Sequence, residues 1–167
     1  MSKDTKVYLI RHGIAANRED YPQDEARPLT KEGIRKTRKV ANRLQELDLQ
    51  FDVILTSPLV RAKQTAEILQ TAGLGSQIKE STSLSPAGDL NNWLNWYRKW
   101  RQSGGQCVAL VGHQPDLGNW AEILVWGEAR ERLVVKKAGV IGVMLPETGD
   151  PVGNSSMFWL TPPKLLL

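Results

Sequence analysis

Arg11-His12-Gly13 directly follows the apolar run Val7-Tyr8-Leu9-Ile10. A short run of β-forming residues reads as a buried strand. A glycine just beyond it allows a sharp turn and a close backbone approach. An arginine and a histidine are therefore presented side by side at the C-terminal end of a strand, where open α/β sheets bind their ligands. The pairing suits attack on an anionic centre such as a phosphoryl group. A guanidinium matches phosphate oxygens as a bidentate donor, and an unprotonated imidazole is a nucleophile.

The second of only two histidines repeats this setting. His113 follows Val108-Ala109-Leu110-Val111-Gly112, again an apolar run ending in a turn. If both strands lie parallel in one sheet, both imidazoles sit at the same edge. Arg61 falls in the first turn of a helix that Ser57-Pro58 would open, with Ser57 as N-cap and Pro58 at the first helical position. That helix follows a strand, so its N-terminus points to the same edge and attracts anions there. Arg11, His12, Arg61 and His113 together describe a phosphate pocket that contains a nucleophile. They make a poor metal site, because no cysteine or carboxylate cluster joins the histidines at ligand spacing and the arginines would repel a cation.

The elements that must position these residues alternate between strand and helix, which indicates a layered α/β/α domain with a mostly parallel sheet. Strands are expected near 6–10, 51–56, 76–80, 107–111, 139–145 and 156–161. Helices are expected from Thr30, which would act as N-cap, from Ser57 to about Thr71 with Gly73 as its stop, over 90–102, and over 115–126. The first helix has Ile34, Ala41, Leu44 and Leu47 as its apolar face. The polar stretch 15–28, with Glu19, Asp20, Asp24 and Glu25, reads as a loop. No repeat, low-complexity segment or linker interrupts the chain, so residues 1–167 read as a single domain.

Composition narrows the function classes. The chain has 167 residues, 41% apolar and 24% charged, as in soluble globular proteins. Cys107 is the only cysteine, so no internal disulfide is possible, and its apolar context reads as a small buried hydrophobe. The stretch Met1-Ser2-Lys3-Asp4-Thr5-Lys6 is not the apolar run of a signal peptide, and no run is long enough to cross a bilayer. A cytoplasmic protein without membrane contact is expected. The formal net charge of +4 favours anionic substrates or acidic partner surfaces. Nucleic acid is not indicated, because no aromatic-basic ladder or zinc spacing is present.

Leu9-Ile10-Arg11-His12-Gly13, Leu29-Thr30-Lys31-Glu32-Gly33, the stretch from Thr56 to Ala66, and Val111-Gly112-His113 resemble, in this order, the motifs of the histidine phosphatase superfamily, also called phosphoglycerate mutase-like. The likeness covers about residues 6–119. The short chain, the stretch Arg27-Pro28-Leu29-Thr30 and the segment from Leu84 to Asp89 are similar to the compact SixA-type phosphohistidine phosphatases, which lack a large inserted cap. The resemblance implies that His12 is the nucleophile and carries a transient phosphoryl group. It implies that Arg11, Arg61 and His113 bind that group and stabilise its charge. It implies neither metal nor cofactor, with a phosphorylated protein or a small phosphate ester as the substrate.

Larger members of the superfamily supply an acid to protonate an alcohol leaving group. The candidates here are Glu80 and Asp89, and Asp89 equally suits capping the helix that begins at Leu90. A weak acid position leans toward phosphohistidine, whose imidazole leaves easily, over a phosphate ester. A small phosphomonoesterase and a non-catalytic phosphoprotein-binding module are the alternatives. Asn17 is a candidate for contact with substrate. On the helix over 90–102, Leu90, Trp93, Leu94, Trp96, Tyr97 and Trp100 share one arc of ~160° at ~100° per residue, which reads as a core face, with an aromatic rim to the active site as the other possibility. Lys31, Arg35, Lys36, Arg38, Lys39 and Arg43 on the first helix read as a solvated face.

Overall fold

The computed structural model describes residues 4–167, so residues 1–3 of the N-terminal stretch lie outside it. Six strands form one sheet: β1 (Thr5–Arg11), β2 (Val53–Thr56), β3 (Ile78–Glu80), β4 (Cys107–Gly112), β5 (Val140–Leu145) and β6 (Ser156–Thr161). Their order is β3-β2-β4-β1-β5-β6. β1 to β4 are mutually parallel, while β5 runs antiparallel to both β1 and β6.

The central strands are apolar on both faces because both faces are covered. Val7, Leu9, Val108 and Leu110 point into one core, with α3 (Leu90–Gln102) and α4 (Asp116–Trp126) packed over it. Ile10, Ala109 and Val111 point into the other, beneath α1 (Lys31–Glu46) and α2 (Val60–Thr71). This is the expected three-layer α/β/α arrangement. The aromatic arc of α3 is largely core, since Trp93 is fully buried and lies against Trp120 of α4.

Thr30 caps α1 through its side chain, accepting the Gly33 N–H at 2.9 Å. Gly73 takes a left-handed conformation just past α2 and ends it. Three local expectations need correction. Ser57 and Pro58 do not open α2. The helix starts at Val60 with Leu59 as its cap, and the Ser57 hydroxyl accepts the Leu59 N–H instead. Leu47 is not on the buried face of α1. It follows the helix and is 43% exposed, and Val40 takes its place in the core. The stretch 15–28 is not featureless. It forms 3₁₀ turns at Arg18–Asp20 and Asp24–Ala26 and is pinned by an Ala15–Leu29 bridge.

Gly13 does not adopt a left-handed conformation. Its requirement is space, because a Cβ there would lie 2.3 Å from Thr37 Oγ1. Gly33 is tighter still against backbone, since a Cβ would lie 2.1 Å from the Ile14 carbonyl oxygen. α1 can therefore approach the loop after β1 only with glycine at this position. Gly33→Ala should lower unfolding free energy by ~1–3 kcal/mol, the usual scale for overpacking, as measured by urea denaturation; an unchanged midpoint would contradict this packing.

Candidate active site

The register of the parallel strands builds the site. Arg11 pairs with Gly112, and Thr56 pairs with Val111. One residue further, the His12 N–H donates to the Gly112 carbonyl at 3.1 Å and the Ser57 N–H to the Val111 carbonyl at 2.9 Å. His12, Ser57 and His113 thus emerge together at one sheet edge. Arg11, His12, Arg61 and His113 line one cavity of about 300 Å³, with Arg18, Asp24, Arg27, Gln114 and Lys137 among its other walls.

His12 is buried, and its Nδ1 lies 2.7 Å from the Gly13 carbonyl oxygen. A carbonyl only accepts, so Nδ1 carries the proton and Nε2 holds a lone pair. Arg61 Nε donates toward that Nε2 at 3.3 Å. Burial pushes the His12 pKa down most strongly, and the His113, Arg61 and Arg11 charges act the same way. The Gly13 contact opposes them, and the result is a pKa of about 3. His12 is therefore a neutral imidazole at neutral pH.

The His113 ring lies 5.2 Å from that of His12, centroid to centroid. Its Nε2 is 2.8 Å from Ser57 Oγ, and its Nδ1 is buried without a partner. Burial first, then Arg61, lowers its pKa to about 4. Arg11 donates through Nη1 to the Val135 carbonyl at 3.0 Å, while its Nε is also buried and unpartnered. Burial and the neighbouring Arg61 both lower the Arg11 pKa. Two guanidinium groups, and two buried nitrogens without partners, are the features of a site that an oxyanion would complete.

Each wall has its own support. Arg61 is 3% exposed, donating through Nη1 to the Asp24 carbonyl at 2.9 Å and through Nη2 to the Asp24 carboxylate at 3.1 Å. The segment before β5 carries Val135 and Lys137. Fully buried Glu122 on α4 accepts the N–H groups of Arg130 and Arg132 from that segment, and Gln114 donates to the Leu133 carbonyl. Buried carboxylates need such donors.

The remaining sequence candidates lie elsewhere. Glu80 is exposed on the edge strand β3 and pairs with Lys63 at 2.8 Å. Asp89 caps α3, accepting the Asn91 N–H at 2.9 Å. Neither lines the cavity, so the structure does not support either as a proton donor. Asn17 is exposed at the start of a 3₁₀ turn, and its neighbour Arg18 lines the cavity instead. None of the tryptophans lines it. Cys107 is half-buried, with its thiol pushed up to about 12 by burial and by Asp52.

Sequence reasoning missed Asp24, Arg27, Ser57 and Lys137 as parts of this cavity and its support. The density of charge in the stretch after His12 was a usable signal for Asp24 and Arg27. Nothing local marks Lys137. Among the described residues, no three His, Cys, Asp or Glu side chains form a metal-ligand group.

Residues 7–114 match the model of the histidine phosphatase superfamily (branch 1). The chain belongs to the histidine phosphatase superfamily. It is 47% identical over 163 residues to an uncharacterised protein of Picosynechococcus sp. (strain PCC 7002), covering 97% of this chain and 99% of that one. It is 29% identical over 153 residues to the phosphohistidine phosphatase SixA of Escherichia coli K12, covering 91% and 92%. Its fold is that of the protein histidine phosphatase SixA solved with tungstate, with a TM-score of 0.86 at 29% identity, covering 98% of this chain and 100% of that one.

The low histidine pKa values have a measurable consequence. The imidazole resonances of both His12 and His113 should stay those of the neutral ring from about pH 8 to about pH 5, below the free-histidine value near 6.5. Unfolded histidines bind protons in that range and the folded ones do not. Stability contributed by neutral His12 and His113 is therefore complete above about pH 6.5 and declines as pH falls toward about 3 and 4. The melting temperature of wild type should drop between pH 7 and pH 5 more than that of His12→Ala. Normal titration of both rings near pH 6.5 would refute this.

Proposed function

We propose that this chain is a metal- and cofactor-independent phosphatase that removes a phosphoryl group from a protein histidine through a phosphohistidine on His12. The observation that carries the reading is the cavity's inventory. It offers a neutral imidazole with a directed lone pair among guanidinium groups, and no carboxyl group free to protonate a leaving group. Asp24 is the one carboxylate among its walls, and both its oxygens accept from arginines. Partial burial works against its charge, but the hydrogen bonds and charges of Arg27 and Arg61 prevail and hold its pKa below the ordinary aspartate value.

This inventory selects the substrate. An alkoxide is a poor leaving group unless an acid protonates it. An imidazole, with a conjugate-acid pKa near 6.5, leaves without a dedicated acid. Likeness to proteins named as phosphohistidine phosphatases supports the same choice, and the pairing of one of them with tungstate, a tetrahedral oxyanion like phosphate, supports a phosphate pocket.

In the first step, His12 Nε2 attacks phosphorus in line as the substrate's P–N bond breaks. The distal nitrogen of the substrate ring has already taken a proton from solvent, so the bonding pair leaves on a neutral imidazole. Arg11 and Arg61 donate to the equatorial oxygens, where phosphoryl transfer places its charge. In this reading the Ser57 hydroxyl is the donor in its 2.8 Å contact with His113 Nε2. The tautomer this fixes leaves Nδ1–H as a further donor to the phosphoryl group. In the second step, water attacks phosphorus, the P–Nε2 bond returns its electron pair to His12, and the water's proton leaves to solvent with inorganic phosphate. The catalytic unit in this reading runs through residues 1–167. Its setting is the cytoplasm, in keeping with a single cysteine and with the absence, among the described residues, of any helix long and apolar enough to cross a membrane.

The test is phosphate release without added metal from a phosphohistidyl protein, an aryl phosphate and a phosphoserine peptide. Phosphohistidine should be strongly preferred, and an acid-labile phosphoenzyme should be trapped on His12. His12→Ala should fall to the uncatalysed background. Preference for the esters would transfer the chain to the small-phosphomonoesterase reading. Tight binding without release would make it a phosphoprotein-binding module.

A further inference from the structure

Arg61 has five N–H groups, and its three hydrogen bonds divide in an informative way. Two go to one residue, Asp24, through its main-chain carbonyl at 2.9 Å and its carboxylate at 3.1 Å. The third runs from Nε toward His12 Nε2 at 3.3 Å. A guanidinium is planar and rigid, so fixing both Nη ends on Asp24 also fixes the direction of the Nε edge. That edge faces the nitrogen which attacks. The contact is long, and its acceptor is the lone pair needed for bond formation. It is a resting contact, and the Nε–H must pass to a phosphoryl oxygen as phosphorus approaches.

The same carboxylate also serves Arg27, whose Nε donates to Asp24 Oδ1 at 2.8 Å while its Nη1 donates to the Ala16 carbonyl at 2.8 Å. Asp24 thus joins two guanidinium groups that would otherwise repel each other. Arg18 Nε adds a weaker contact at 3.6 Å from a largely exposed side chain. A negative charge beside an anion pocket is costly for phosphate binding. Its presence needs a return, and the geometry supplies one in the orientation of Arg61.

We infer that Asp24 is a positioning residue that ties Arg61 by main-chain carbonyl and carboxylate together, so that Arg61 Nε–H lies beside His12 Nε2 on the path of phosphoryl transfer. The inference rests on the proposed role of His12 as nucleophile. Asp24 contributes alignment at the transition state and opposes ground-state binding of the dianion. Its loss therefore acts on kcat and not on affinity, because interactions made only in the transition state raise kcat.

The experiment compares wild type, Asp24→Asn and Asp24→Ala, with active protein quantified by folded fraction. Both variants should lose at least about tenfold in kcat, the scale expected for small misplacement of a catalytic group. KM and inhibition by inorganic phosphate should stay level or tighten, because a repelling charge has gone. A merely structural role would instead lower the folded fraction and leave kcat per folded molecule unchanged, which would overturn the inference, as would weakened phosphate inhibition with kcat intact. A second arm needs no turnover. The ¹⁵N resonance of His12 Nε2 should shift in Asp24→Ala as the Arg61 contact is lost, and an unchanged resonance would also overturn it. Failure of the phosphatase reading shows separately, as absence of release by wild type, while this resonance still reports on the tether.

Discussion

The rung between the His12 N–H and the Gly112 carbonyl underlies the rest of the site. It continues the parallel β1–β4 pairing by one residue beyond the strands. Parallel pairing puts equivalent ends of strands at one edge, and the absence of a register shift between β1 and β4 puts the two histidines level. A slip of one residue would turn every side chain of β1 to the opposite face. The continuous apolar runs tolerate little of that, because Val7 and Leu9 are matched to one helical layer and Ile10 to the other. Core packing on both faces therefore sets the position of the imidazoles.

The electrostatics depend on that placement. A buried imidazole surrounded by guanidinium groups remains neutral, and burial is the larger cause. The same burial removes the water that would screen the arginines. Burial and the charge of Arg61 lower the Arg11 pKa, and burial lowers that of Arg61 against the opposing hydrogen bond and charge of Asp24. Lys137, exposed at the cavity rim, is likewise lowered by burial and by Arg11 and Arg27. The cavity is thus a region of concentrated positive potential around an uncharged imidazole, and in the proposed reaction this combination attracts a phosphoryl dianion without protonating His12 Nε2.

The two walls are held by different means. Arg61 sits on α2 and is locked by the loop after β1, so the wall near His12 is closed by side-chain ion pairs. Arg11 is locked by a main-chain carbonyl from the segment before β5, itself anchored on fully buried Glu122 of α4. Hydrogen bonds from main-chain amides to a buried carboxylate are short in reach and strongly directional. The second wall therefore depends on α4 staying close to that segment. Gly118 permits this approach, since a Cβ there would lie 2.0 Å from the Leu133 carbonyl oxygen.

Local chemistry determined much of this protein from sequence alone. Apolar runs ending at Arg11-His12-Gly13 and Gly112-His113 announced buried strands with reactive ends, and the alternation of patterns announced layers. Thr30 as a cap and Gly73 as a stop were legible because both act within one helical turn. Tertiary structure decided what depends on distance in the chain. The reversal of β5 was not legible, because a strand's apolar pattern carries no direction. Ser57 looked like a helix cap, and its nearness to His113 is a contact across 56 residues. Asp24 lay in a stretch that read only as a polar loop, and only the fold brings its carboxylate against Arg61. Glu80 and Asp89 were plausible acids by position along the chain, but the sheet carries one to an edge strand and the start of α3 uses the other as its cap. Sequence specifies which groups can react and which elements carry them. The pairing of strands, the burial it imposes and the ion pairs that follow decide which of those groups meet.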